Sequence, residues 1–149
     1  SLEELAGPST VTDSATGLGN WNNNGYTVSS SRSHSSPTSF YSGTGNSLFR
    51  TIDSKFAYHV VANDTLKFWT WYNTEHDWDY AYVEVSTNGV TFAPITGNLT
   101  TNFNPNGPNR GNGITGNSLG WVQGRFPLSA YAPASRKRVS FVRRSFSLR

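Results

Sequence analysis

Two strand-length aromatic runs, separated by a short polar stretch and followed by an Asn-Gly pair, constrain this chain more than any other feature. The first lies in Thr65–Tyr72, where Leu66-Lys67-Phe68-Trp69-Thr70-Trp71-Tyr72 is apolar at nearly every position. That pattern predicts a central strand covered on both faces. The second, Asp79–Ser86, alternates. Successive strand side chains point to opposite faces, so Ala81, Val83 and Val85 share one side and Tyr80, Tyr82 and Glu84 the other. The small aliphatic side is expected against a core, and the wider amphipathic side at a rim or in solvent. Asn88-Gly89 then provides the hairpin turn that leads into Thr91–Ala93, because both residues tolerate the positive φ angles such turns demand.

The rest of the chain repeats the theme of short aromatic or β-branched runs between Asn, Gly and Ser. Further strands are predicted at Tyr26–Ser29, Ser39–Ser42, Ser47–Thr51, Phe56–Val61, Trp121–Pro127 and Arg138–Phe146, with no sustained helical period. Only Ser1–Ala6 has room for one helical turn before Gly7-Pro8 breaks it. The fold class that follows is all-β, an antiparallel, jelly-roll-like β-sandwich. Aromatics at 14% of the chain and charged residues at only 14% suit this reading, since large flat rings pack well across sheet faces. Residues 1–13 form a lead-in, and residues 14–149 one β-sandwich domain whose last part, 135–149, is a divergent basic segment. Two stretches read as long loops. Ser29–Ser39 holds seven Ser in eleven residues, and Asn98–Leu119 seven Asn and four Gly in twenty-two. The second is either functional or the mobile edge of the fold.

The net charge of +3 is unevenly placed: six of the twelve Lys and Arg are Arg136, Lys137, Arg138, Arg143, Arg144 and Arg149. Residues 1–135 carry six basic against nine acidic side chains, so the charge is no nucleic-acid footprint spread over a domain face. With no Cys there is no disulfide framework or thiol chemistry. No run of residues has the length and apolarity of a membrane span. The chain starts at Ser1 without Met, which reads as a processed product or a piece of something larger.

Three clusters offer chemistry. Glu75, Asp77 and Asp79 present hard oxygens of the kind that bind a structural calcium ion. The competing and favoured reading buries Asp79 among loop N–H groups and leaves Glu75 and Asp77 solvated. Trp78, Tyr80 and Tyr82 are candidate ligand-binding residues, because aromatic faces stack on the C–H faces of sugar rings; Trp69 and Trp71 are expected in the core. Gly116-Asn117-Ser118-Leu119-Gly120 matches G-x-S-x-G, but a nucleophile elbow needs a strand before it and a helix after, and neither is predicted here. H-E-x-x-H is absent, and His34, His59 and His76 lack ligand spacing. The chain is therefore read as a non-enzyme.

The run Phe68-Trp69-Thr70-Trp71-Tyr72, continued by Asp77-Trp78-Asp79-Tyr80-Ala81-Tyr82-Val83-Glu84-Val85-Ser86-Thr87-Asn88-Gly89, resembles the β-sandwich accessory domain of immune inhibitor A-type secreted bacterial metallopeptidases. That domain is related in shape to MAM-type jelly rolls. Gly17-Leu18-Gly19-Asn20-Trp21 is similar to the family's opening, Ser31-Arg32-Ser33-His34-Ser35 to its second strand entry, and Gly113–Tyr131 to its later strands. The resemblance covers roughly residues 12–133. It implies an extracellular accessory module whose partner is a peptidase catalytic domain or a cell-surface or extracellular polymer. In place of the family's acidic pair, which can help hold calcium, this chain has Asp13-Ser14-Ala15, and the family's closing strand is expected to be missing. An open edge of that kind makes self-association by strand exchange a third reading, beside a carbohydrate-binding module.

Overall fold

The computed structural model describes residues 10–131 and, as backbone, 136–144. The helical turn expected at Ser1–Ala6 and the basic residue Arg149 lie outside these residues. Ten strands follow one another: β1 (Trp21–Asn24), β2 (Thr27–Ser29), β3 (Ser39–Tyr41), β4 (Phe49–Ser54), β5 (Tyr58–His59), β6 (Thr65–Thr70), β7 (Tyr80–Ser86), β8 (Ala93–Pro94), β9 (Val122–Pro127) and β10 (Arg136–Arg144). The main sheet runs β1-β4-β10-β7-β8, with β5 also paired to β10, and the pairs β2-β3 and β6-β9 form two small sheets. Every ladder is antiparallel. The chain is all-β, as its alternating patterns predict.

The sandwich closes where β7 faces the β6-β9 pair. Val83 and Val85, with Ala81 beside them, pack against Leu66 and Phe68 of β6 and Phe126 of β9, joined by Val60, Ile95, Ile114 and Leu128. Phe68 and Phe126 stack with ring centroids 5.6 Å apart. Gly124 stands opposite Phe68 in the ladder, and a Cβ there would sit 2.6 Å from Phe68 Cζ. The glycine makes room for the ring.

β6 departs from the expectation of a doubly covered central strand. Leu66, Phe68 and Thr70 are half-buried, while Thr65, Lys67 and Trp69 are exposed. The reason is topological: β6 pairs with β9 alone, so this two-stranded sheet has one face on the core and one in solvent. The doubly covered strand is β7. Its hairpin to β8 is present, with Glu84 opposite Pro94 and Val85 opposite Ala93. The connection is wider than a two-residue turn. Ser86 Oγ accepts from Gly89 N at 2.8 Å, and Asn88 Oδ1 accepts from Val90 N and Thr91 N, both at 2.8 Å.

The second face of β7 overturns the expected rim. Tyr80 and Tyr82 are 0% and 1% exposed, and Glu84 is buried beside them. The cover is the Asn- and Gly-rich segment Asn98–Leu119, which is folded in its own right. Thr101 and Gly113 exchange backbone bonds of 2.8 and 3.1 Å across its neck. Buried Asn109 acts as its internal brace: Nδ2 donates to Thr101 O (2.9 Å) and Phe103 O (3.0 Å), and Oδ1 accepts from Gly111 N (2.9 Å). Side-chain amides here do the work that a ladder does in a strand, since buried backbone groups must be paired. Tyr82 Oη donates to Pro108 O (3.3 Å) and accepts from Arg110 N (3.0 Å). Arg110 Nη1 donates to Glu84 Oε1 at 2.8 Å. A Cβ on Gly113 would lie 2.5 Å from Tyr80 Cδ1, so only glycine lets the loop backbone lie flat against that ring.

One further difference has a clear cause. β1 was hidden in Trp21-Asn22-Asn23-Asn24, a composition that reads as a turn. Its ladder to β4 places Asn22 opposite Asp53, where Asn22 Nδ2 donates to Asp53 Oδ2 at 3.0 Å. At the C-terminus, the strand expected at Arg138–Phe146 is β10. It lies between β4 and β7, with Phe141 opposite both Ile52 and Val83 in register. β10 thus occupies an interior position in the main sheet; residues 145 and 146, expected in the same strand, are outside the described set.

Two stability measurements check this packing. Gly124→Ala forces Phe68 to shift and is expected to lower stability by about 1–3 kcal/mol, read as an earlier urea midpoint; an unchanged midpoint would show that the ring moves freely. Arg110→Ala leaves Glu84 buried without its cation and is expected to destabilise by about 1.5–3 kcal/mol. Adding Glu84→Gln to that variant should recover part of the loss, and an additive second loss would contradict the pairing.

Candidate functional site

The acidic residues singled out from the sequence sit in the turn between Tyr72 and β7. Trp78 N and Asp79 N both donate to Glu75 O, at 3.1 and 2.9 Å. Asp77, at φ 62°, occupies the left-handed conformation, and its Oδ2 lies 2.9 Å from His76 Nδ1. Its backbone is clamped from the loop side, with Asp77 N donating to Thr115 Oγ1 (3.0 Å) and Asn106 Nδ2 donating to Asp77 O (3.2 Å). Asp79 is buried, while Glu75 is exposed. Among the described residues, no three His, Asp or Glu side chains come together as a metal-holding group. The lone carboxylate of the opening segment is committed to nitrogen donors, with Asp13 accepting from Ala15 N (2.8 Å), Asn20 Nδ2 (3.3 Å) and Trp21 Nε1 (2.9 Å).

The structure also buries two of the three predicted ligand-binding aromatics. Tyr80 and Tyr82 stack on each other at 6.3 Å beneath the Asn98–Leu119 cover, and Trp78 is half-buried in the turn. The two tyrosine rings have no open face for a sugar. Ser118, in the G-x-S-x-G match, fastens the loop to the end of β6. Tyr72 N donates to its Oγ (3.0 Å), and Oγ lies within bonding distance of Tyr72 O (3.1 Å) and Gly120 O (2.8 Å). Its hydrogen-bond partners are backbone groups rather than a base.

An exposed tryptophan lies elsewhere, on the outer face of the β6-β9 sheet. Residues directly opposite in an antiparallel ladder share a face. The register pairs Lys67 with Arg125 and Trp69 with Gln123, and Trp71 and Trp121 follow just beyond. Trp69 is 45% exposed. The Ser-rich segment, expected as a plain loop, is the tip of the β2-β3 hairpin and reaches across this face. There His34 stacks on Trp69, with centroids 3.9 Å apart and planes 10° from parallel, and meets Trp121 edge-on at 5.7 Å. Arg32 lies 3.5 Å above the Trp71 ring, a cation–π contact. The tip is tied down by Ser39 Oγ donating to Arg32 O (2.6 Å) and by Thr38 Oγ1 donating to Ala15 O (2.8 Å). The signal that Trp69 and Trp71 face outward was in the sequence: Lys67 shares their parity.

With this geometry in view, comparison with known proteins places the chain. The sequence profile of the immune inhibitor A-like MAM domain matches residues 9–140. The chain belongs to this family. A 94-residue stretch is 38% identical to the pre-pro-metalloprotease PrtV of two strains of Vibrio cholerae serotype O1, covering 63% of this chain and 10% of each relative. The chain therefore corresponds to a small part of those proteins' length. No solved structure matches it. The profile match to the immune inhibitor A-like MAM domain takes in both the covered tyrosine face and the open aromatic strip.

Several tyrosines in this MAM-like domain hold their protons more tightly than a free phenol. Burial pushes Tyr80 up from 10.0, with the charges of Asp77 and Tyr82 adding to it. Burial also raises Tyr72, and burial followed by the charge of Asp13 raises Tyr58. For a group whose folded pKa is raised, stability is complete below the unfolded value and is lost as pH climbs through the folded one. Thermal stability is thus expected to hold up to the ordinary tyrosine value of 10.0 and decline above it. Part of the tyrosinate absorbance should appear at higher pH in the native chain than in urea; superimposed titration curves would contradict this.

Proposed function

We propose that this chain is a non-catalytic accessory module of a secreted, peptidase-related protein, supporting or positioning a catalytic domain carried elsewhere in the same polypeptide. The observation that carries the reading is the family match over residues 9–140. The likeness to a stretch that makes up 10% of a protein named as a metalloprotease points the same way. Ser118, in the G-x-S-x-G match, is engaged with backbone atoms. Extracellular placement belongs to the same proposal and draws on the pre-pro-metalloprotease relative. No helix among the described residues is long and apolar enough to cross a membrane.

The test has two arms. The 149-residue chain, incubated with casein in zinc and calcium, is expected to release no peptides beyond the buffer blank; release that survives repurification would overturn the non-catalytic assignment. In the polypeptide that carries the chain, removing it is expected to lower the peptidase's melting temperature or its turnover of large substrates. Unchanged stability and turnover would overturn the supporting role.

A further inference from the structure

We infer that the outer face of the β6-β9 sheet binds an acidic, uronate-bearing polysaccharide, with a sugar ring on Trp69 and a carboxylate between Lys67 and Arg125. The inference goes beyond the accessory reading and holds whether or not a peptidase domain is attached.

The argument starts from a conflict in the ladder. Lys67 and Arg125 stand directly opposite each other, and both are exposed. Like charges in this position destabilise a sheet. Among the described residues neither is neutralised by a carboxylate: the ion pairs are His76–Asp77 and Arg110–Glu84, and Arg125 instead donates to Gln123 Oε1 at 3.1 Å. An anion seated between them relieves the repulsion, and the planar guanidinium fork of Arg125 matches a carboxylate.

One step along the strand, about 7 Å away on the pleat, is Trp69. His34 covers one face of its indole, so its 45% exposure belongs to the opposite face and the ring edges. The stacked imidazole holds the indole in place, and Arg32 does the same for Trp71. A pre-positioned flat ring with one open face, beside Gln123 and a cation pair, is suited to a polymer that alternates apolar ring faces with hydroxyls and carboxylates. The strip is two strands wide and six residues long, roughly 20 Å by 10 Å. That is well short of the roughly 800 Å² per partner of a stable protein interface.

The experiment is affinity electrophoresis of the full 149-residue chain in gels containing polygalacturonate, dextran, polyglutamate or a single-stranded oligonucleotide. Retardation by polygalacturonate alone is expected. Trp69→Ala should weaken it at least about tenfold while the chain still melts cooperatively; Trp69→Phe should retain part of it. Lys67→Gln with Arg125→Gln should weaken it comparably and flatten its salt dependence. The proposal is overturned if polygalacturonate does not retard the chain, or if polyglutamate or the oligonucleotide retards it equally. It is also overturned if Trp69→Ala binds as the parent does, which would assign binding to the basic C-terminal segment. These outcomes leave the casein and domain-removal results untouched, so the two readings fail separately.

Discussion

The burial of β7 on both faces is the constraint on which the rest of the molecule depends. One face is ordinary: valines against phenylalanines across a sandwich, held by area and shape. The other carries two phenols and a carboxylate, each of which must find a partner once water is gone. Pro108 O and Arg110 N satisfy Tyr82, and the Arg110 guanidinium satisfies Glu84. The covering loop can do this only if its own backbone is also satisfied, which is why it is rich in Asn. Asn109, Asn104 and Asn102 each supply a side-chain oxygen to a loop N–H. The unusual composition of residues 98–119 is thus the consequence of asking an irregular segment to cover a polar sheet face.

Covering β7 from both sides frees the outer face of the β6-β9 sheet. Leu66, Phe68 and Phe126 are all spent on the core, and the β2-β3 tip lies over Trp69 and Trp71 on the other face. That tip contributes a cation and an imidazole, each laid flat on a tryptophan. Its serines suit the task, since short side chains can bond to neighbouring backbone and hold an irregular path, as Ser29 Oγ does with Ser31 N at 3.2 Å.

Much of this was legible beforehand. The alternation of Ala81, Val83 and Val85 placed the core face of β7 correctly, and Asn88-Gly89 marked its turn to β8. The errors share one cause. Periodicity says which residues share a face, but not what lies on that face. Tyr80, Tyr82 and Glu84 look like a solvent-facing set until a loop more than a dozen residues further on arrives to cover them. Trp69 and Trp71 look like core because Phe68 and Tyr72 flank them, yet Lys67 at the same parity already argued for the outside. The pairing order is non-local too: β6 joins β9 rather than its neighbour in sequence, and no local pattern announces such a crossover. For Glu75, Asp77 and Asp79 the favoured reading had Asp79 buried, which it is, and Glu75 in solvent, where it lies.

The two aromatic sets can now be told apart by their chemistry. A phenol that is buried needs an acceptor for its hydroxyl, and loop carbonyls provide one, so tyrosines suit the covered face. An indole has a larger ring and a single N–H, and it can stand in water with most of its area used for stacking. On the β6-β9 strip the indoles are held by His34 and Arg32 rather than by neighbouring apolar side chains. A ring meant only for packing has no need of a stacked imidazole on one face and an open face on the other. Nor does a sheet built only for stability place Lys67 opposite Arg125, since substituting either by a neutral residue would remove the repulsion. The pair and the indole lie side by side on the outer face of one sheet, and that coincidence is what separates a binding surface from a scatter of exposed side chains.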